Sequence, residues 1–281
     1  MTLNVVNHDR NSAALRYVYP VVSRRAGGVS VGINLNPNNA CNWRCIYCQV
    51  PDLVRGSALP VDMTLLESEL RTFLIELLHG DFMQSRVPEG ARRINDIALS
   101  GNGEPTSAAE FAEVIALIAR VRHELVLADS VKTVLITNGS LLYRSNVQLG
   151  LREMAKMQGE VWFKLDRASE VGMLRVNDTH MRIEKVRDNL IAAINACPTW
   201  LQTCWFALDG EAPSHQDEDD YLDFAAGLLR DGHALQGVLL YGLARPSLQT
   251  EAPRLSALSA DRLQAFAARI ARLGLPVRVS V

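Results

Sequence analysis

Apolar and polar positions along this chain follow two different periods. Runs rich in Val, Ile and Leu occupy 29–36, 94–100, 131–138, 161–166, 201–208 and 237–243. Their length and β-branched content predict strands. Between them, apolar residues recur at helical spacing. Asp62 is placed to cap a helix carrying Leu66, Leu70, Phe73, Leu74, Leu77 and Leu78. Ser107 and Glu110 fit a capping box ahead of Phe111, Val114, Ile115, Ile118 and Val121. Further helices are predicted over 145–157, 180–196 and 221–230. Ser259 caps a last helix bearing Leu263, Phe266 and Ile270, and 275–281 reads as a short final strand. The acidic segment 211–220 is a solvated loop or a helix start. Residues 1–20 read as an N-terminal arm and 21–281 as one core domain.

The alternation amounts to about six βα units, which implies a parallel sheet with crossover helices. Periodicity alone leaves open whether that sheet is doubly wound or barrel-like. Either way, a site belongs at the C-terminal ends of the strands. The polar signatures fall there: a cysteine segment after the first strand, then 101–106, Asn138, Asp166, Asp209 and Arg245.

Composition adds exclusions. Hydrophobic residues make up 48% and charged residues 21% of the 281, an ordinary soluble balance. No apolar run approaches the roughly 18 residues of a membrane span. The first residues are polar where a secretory signal needs an apolar stretch. A cytoplasmic protein without membrane contact is expected. The net charge of −2 gives no global pull toward nucleic acid.

Of the five cysteines, Cys41, Cys45 and Cys48 lie in Pro37-Asn38-Asn39-Ala40-Cys41-Asn42-Trp43-Arg44-Cys45-Ile46-Tyr47-Cys48. Pro and Asn make this a loop. An odd, clustered set fits a metal site better than a disulfide framework. The C-x3-C-x2-C spacing lets three thiolates converge, and soft thiolates select zinc or an iron–sulfur cluster. A closed zinc site needs four ligands, which Cys197 or Cys204 would have to complete. Three ligands on a four-iron cluster leave one iron open for substrate.

The cysteine triplet, with an aromatic residue just before its last member, resembles the signature of the radical S-adenosylmethionine (SAM) superfamily. Ser100-Gly101-Asn102-Gly103-Glu104-Pro105-Thr106 resembles that superfamily's Gly-Gly-Glu-Pro motif, with Asn102 inserted between the glycines. Thr137-Asn138-Gly139-Ser140 and Leu165-Asp166 end the next two strands, where such enzymes carry SAM and substrate contacts. More narrowly, residues 20–27 ahead of the cysteines, and Tyr241-Gly242-Leu243-Ala244-Arg245-Pro246, resemble stand-alone Fe–S oxidoreductases. These are distantly similar to the wybutosine-type radical SAM enzymes. The resemblance covers roughly residues 20–250.

It implies a partial (β/α)6 TIM-like barrel of parallel strands with outer helices. It also implies a [4Fe–4S] cluster on Cys41, Cys45 and Cys48 whose open iron binds SAM. Reductive cleavage would release a 5′-deoxyadenosyl radical that takes hydrogen from an unidentified substrate. Tyr47 would lie near the adenine or simply pack. Gly101, Gly103, Glu104 and Pro105 would hold the methionine amino group, and Asn138 the ribose or carboxylate, with a plain turn as its rival. Lys164 and Asp166 share parity at a strand end. They would contact SAM and substrate, or form a buried ion pair. Asp209 is similarly placed. Arg24, Arg25 and Arg245 are candidate substrate contacts. His180 reads as a helix-start residue, and Cys197 and Cys204 as packing cysteines. A flavodoxin or ferredoxin-type protein would be the reductant. Other readings are a tRNA-modifying enzyme, an activase for a glycyl radical partner, and a non-enzymatic zinc or electron-transfer module.

Overall fold

A computed structural model describes the chain over residues 15–23 and 27–281. Arg24 and Arg25 lie outside the described residues. The strands are β1 Val18–Ser23, β2 Gly28–Ile33, β3 Ala40–Cys41, β4 Val54–Arg55, β5 Ile94–Leu99, β6 Lys132–Thr137, β7 Gly159–Lys164, β8 Thr199–Cys204, β9 Phe206–Leu208, β10 Gly237–Tyr241, β11 Leu255–Ala257 and β12 Val277–Ser280. The helices are α1 Met63–His79, α2 Phe82–Arg86, α3 Phe111–Glu124, α4 Ser145–Ala155, α5 Glu170–Asn177, α6 Ile183–Ala196, α7 His215–Arg230 and α8 Ala260–Ala271. One sheet runs in the order β1-β2-β5-β6-β7-β8-β10-β12. Apart from β1, the neighbours β2–β5, β5–β6, β7–β8, β8–β10 and β10–β12 pair in parallel. This is the partial TIM-like barrel class that the sequence resemblance implies. Among the described residues no helix is long and apolar enough to cross a membrane.

The chain divides into two compact units. The first gathers the described residues up to Asn42, then Gly56–Ile136 and Arg144–Glu160. Here Asp62 caps α1 as expected, its Oδ1 accepting from Leu65 N at 3.0 Å. The predicted face of Leu66, Leu70, Phe73, Leu74 and Leu77 is buried, while Leu78 is exposed. Residues 18–20, read from sequence as the end of an arm, belong to β1. This edge strand pairs antiparallel with β2, and Pro20 stands opposite Val31. An edge position tolerates proline because one side of the strand needs no ladder donor.

The expected capping box at Ser107 and Glu110 does not form. Glu110 precedes α3 without a side-chain cap bond. Ser107 instead ends a short 3-10 turn, Pro105–Ser107, and its Oγ accepts from Asn36 Nδ2 and Ala58 N. Proline at the start of that turn pre-sets the backbone and takes the serine out of register for α3.

The second unit gathers Trp43–Arg55, Thr137–Tyr143 and Val161–Val281. Its core includes Trp205 stacked on Phe266, ring centroids 4.3 Å apart, with Tyr221 edge-on to both. The Arg167 guanidinium lies 4.2 Å from the Trp205 ring. The acidic segment 211–220 is a helix start: Ser214 and Asp217 form the capping box of α7. Ser259 caps α8 as expected. The predicted helix over 180–196 begins only at Ile183. The short α5 ahead of it was not predicted, and His180 is an exposed residue of the connection.

One carboxylate holds the N-terminal strand of the first unit to α1. Glu69 is buried and accepts from Arg16 N and Tyr17 N, both at 2.8 Å, and from Val18 N at 3.2 Å. Three amides would lose their acceptor in Glu69→Ala, at a cost of about 3 kcal/mol. The expected outcome in urea unfolding is a clearly lowered midpoint for Glu69→Ala. Glu69→Gln should fall less, since its carbonyl still accepts. An unchanged midpoint in the alanine variant would refute this role.

Candidate functional site

The loop after β2 reads Asn34-Leu35-Asn36-Pro37-Asn38-Asn39, and its amides do much of the work in the first unit. Asn34 Oδ1 accepts from Asn36 N at 3.1 Å and from Asn102 N at 3.0 Å. Asn36 Nδ2 donates to Ala40 O at 2.9 Å and to Ser107 Oγ at 3.2 Å. Asn39, in the left-handed region at φ 55°, accepts from Asn102 Nδ2 at 2.6 Å. The loop after β5 is thereby stitched onto the segment that ends in Cys41. Asn102 is one of the stitches and not a spacer.

The two glycines of that loop are required for different reasons. Gly101 has φ +140°, and a Cβ there would sit 2.5 Å from Asn34 Oδ1. At Gly103 a Cβ would sit 2.0 Å from Ala40 O, the carbonyl immediately before Cys41. Glu104 is buried, and its Oε1 accepts from the Thr106 amide and hydroxyl. Pro105 is buried at the first position of the 3-10 turn.

In the second unit Cys45 and Cys48 are half-buried and close a turn, with Cys48 N donating to Cys45 O at 2.9 Å. The C-terminus of α5 receives this turn. Arg44 N donates to Asn177 O at 3.2 Å, and Ile46 N to Val176 O at 2.9 Å. These are carbonyls that a helix end leaves without intrahelical partners. Asn177 Nδ2 donates to Cys45 Sγ at 3.2 Å and to Asp166 Oδ2 at 2.7 Å. Arg44 pairs with Asp178 through Nε, and with both oxygens of Glu251. From the segment after β10, Leu248 N donates to Cys48 O at 2.9 Å, Ser247 Oγ to Ile46 O at 2.8 Å and Gln249 Nε2 to Val50 O at 3.0 Å. Arg245 reaches Gln49 Oε1 at 3.4 Å.

Tyr47, Lys164 and Asp166 come together. Tyr47 is buried with Ile46, Val176, Cys204 and Phe206, its ring centroid 5.3 Å from that of Phe206. Its hydroxyl donates to Asp166 Oδ2 and accepts from Lys164 Nζ at 2.7 Å. Asp166 Oδ1 accepts from Cys204 N at 2.8 Å. The lysine and aspartate are thus bridged by a tyrosine, and the carboxylate, 1% exposed, binds three donors inside the protein. Burial, reinforced by the Asp166 charge, holds the Tyr47 phenol well above its usual range. Burial opposes the Lys164 charge, yet Tyr241 and Asp166 more than offset it and keep the ammonium protonated. Burial also pushes the Cys45 thiol up to about 12.

Asn138 is buried, and its Oδ1 accepts from Ser140 N at 3.0 Å and Ser140 Oγ at 2.6 Å, closing an Asx turn. Gly139 sits at φ +76° against the Phe163 ring, and Asn189 holds the carbonyls of Gly139 and Ser140. Asp209, read from sequence as a strand-end candidate, instead forms an exposed ion pair with Arg254 at 2.7 Å. It follows β9, a short strand paired with β11 and not with the main sheet, so it leaves the row of strand ends. Cys197 and Cys204 are buried. Sequence reasoning missed Asn177, Ser247, Gln249 and Glu251, which carry no local pattern. It also missed Asn34, Asn36 and Asn39, whose crowding in one loop was a usable signal.

All five cysteines are thiols outside any disulfide. Among the described residues no group of three or more His, Cys, Asp or Glu side chains is poised around a single metal ion. The donors are nevertheless of the kind that suits an iron–sulfur cluster: in the second unit the half-buried thiols of Cys45 and Cys48 with an amide donor on Cys45 Sγ, and in the first a half-buried Cys41 whose preceding carbonyl is approached by Gly103.

No family model matches the chain. In sequence it is similar to a UPF0026 protein of Helicobacter pylori (strain J99), 29% identical over 175 residues, covering 62% of this chain and 50% of the relative. A UPF0026 protein of Methanocaldococcus jannaschii is 25% identical over 176 residues, 62% of this chain and 48% of the relative. The chain therefore spans about half the length of the curated relatives it matches. Among solved structures, a radical SAM methyltransferase from Sphaerobacter thermophilus aligns over 90% of this chain and 66% of its own, with TM-score 0.58 and 15% identity. TYW1 with a lysine–pyruvate adduct bound aligns over 88% and 74%, with TM-score 0.54 and 13% identity. Streptococcus suis SuiB bound to S-adenosylmethionine aligns over 90% and 47%, with TM-score 0.56 and 11% identity. The chain has UPF0026 proteins among its sequence relatives and shares its fold with radical SAM enzymes.

Proposed function

We propose that the chain is a radical SAM enzyme whose Cys41, Cys45 and Cys48 hold a [4Fe–4S] cluster. The observation that carries the reading is the contact of Gly103 with the carbonyl before Cys41: the Gly-Asn-Gly-Glu-Pro loop is built directly onto the cysteine segment. A plain strand-to-helix turn has no need of that approach. A bound cluster would supply one-electron cleavage of SAM to methionine and a 5′-deoxyadenosyl radical.

The chain's own residues bind and position. Gly101, Gly103, Glu104 and Pro105 would receive the methionine end of SAM, with Glu104 held by Thr106. Asn138, directly after β6, would contact the ribose or carboxylate of SAM. Tyr47 stays neutral and closes the apolar side behind Cys45 against water. Lys164 keeps a positive charge beside Cys45 and Asp166. A one-electron donor of flavodoxin or ferredoxin type would feed the cluster. The net charge of −2 provides no global attraction for a polyanion such as tRNA.

Anaerobic reconstitution with iron and sulfide, followed by dithionite and SAM, is expected to yield 5′-deoxyadenosine and methionine. Replacing Cys41, Cys45 or Cys48 by alanine should abolish both the cluster and the product. A colourless protein carrying one zinc per chain would contradict the reading.

Gly103→Ala must push Ala40 O away from a 2.0 Å contact, and with it the backbone entering Cys41. Iron content or 5′-deoxyadenosine formation should fall about tenfold, the size of a modest misplacement at a reacting site. Gly90→Ala, where an added Cβ meets nothing within 4 Å, should leave both unchanged. Equal behaviour of the two variants would remove the packing argument.

A further inference from the structure

The amide of Asn177 is buried at 1% exposure, at the last position of α5, and the sequence motifs assign it nothing. A side-chain NH2 has two hydrogens and therefore two donations to make. One goes to Asp166 Oδ2 at 2.7 Å and the other to Cys45 Sγ at 3.2 Å. The opposite amide orientation would point a carbonyl oxygen at a carboxylate and a sulfur, neither of which can donate once the sulfur is a thiolate. The environment therefore fixes which end faces the cysteine.

Three neighbours hold the geometry. Asp166 is itself anchored by Cys204 N and Tyr47 OH. The backbone carbonyls of Val176 and Asn177 accept from Ile46 N and Arg44 N, on either side of Cys45. Asp178, at φ 48° beyond the helix, pairs with Arg44 and Arg55. The sulfur and its donor are thus fixed by separate bonds on both sides, within the second unit. A contact that were only incidental packing would not need an oriented, fully buried amide.

Resting on the proposed cluster reading, we propose that Asn177 is a positioning residue that sets the reduction potential of the cluster through an N–H···S hydrogen bond to Cys45. Such a bond stabilises the reduced, more electron-rich state, so it raises the potential. The cluster then accepts an electron from a given donor more readily than it would with an unbonded Cys45 sulfur.

The test compares the reconstituted 281-residue wild-type chain with Asn177→Leu, which keeps the volume and loses the donor, and Asn177→Ser, which cannot clash. The midpoint potential is read by dithionite titration followed with electron paramagnetic resonance. Iron and sulfide content and circular dichroism are read alongside. Both variants are expected to keep the wild-type iron content and to titrate at lower potential. The expected size is a tenfold fall in the equilibrium constant for one-electron reduction, about 59 mV. Unchanged potentials with intact clusters would overturn the proposal. Loss of the cluster or of the fold in both variants would overturn it too, because a tuning contact is dispensable for each. If the wild type itself takes up no cluster, the functional reading fails first, and the two failures are distinguishable.

Discussion

The loop that carries Cys41, Cys45 and Cys48 has little regular structure, so its backbone N–H and C=O groups must find partners elsewhere in the chain. That requirement shapes most of what surrounds the cysteines. In the first unit the carbonyl of Ala40 takes the Asn36 amide, and the neighbouring Asn39 takes Asn102. In the second, the amides of Arg44 and Ile46 find the carbonyl end of α5, and the carbonyls of Ile46, Cys48 and Val50 find Ser247, Leu248 and Gln249. The residues flanking Cys41, Cys45 and Cys48 are thus held by hydrogen bonds to other segments of the chain.

Burying charge beside that loop imposes a second requirement, since an ion removed from water must be paired. Lys164 and Asp166 meet it through the Tyr47 hydroxyl, which accepts from one and donates to the other. Asn177 then extends the chain of bonds from Asp166 to the Cys45 sulfur. Each member is satisfied by its neighbour, so the network fixes side-chain orientation where a direct ion pair would fix only distance. The surface shows the contrast: Asp209 and Arg254 form an exposed pair of the kind that contributes little to stability.

The fold was legible because the parallel strands of the main sheet announce themselves as short β-branched runs and most helices by period: Leu66 to Leu77 on one face of α1, Phe111 to Val121 on one face of α3. β1 escaped because Pro20 interrupts its pattern, and only the edge position makes that proline acceptable. α5 escaped because eight residues give too few turns for a helical repeat to stand out. The cysteine triplet and the glycine loop were legible because both are short-range spacings. Their supports were not: Asn177 meets Cys45 across 132 positions, and Ser247 meets Ile46 across 201. Nothing local marks such residues, because their selection rests on where the fold carries them. Ser107 shows the converse error, a correct local signature that a long-range partner, Asn36, had already claimed.

The central claim is that the cysteines leave one iron of the cluster open for SAM. Electron paramagnetic resonance of the dithionite-reduced, reconstituted protein, recorded with and without SAM, tests it most directly. A spectrum that changes on SAM addition, with an intact four-iron content, is the result this account predicts. A cluster signal indifferent to saturating SAM, as from a fully cysteine-ligated centre, would contradict it.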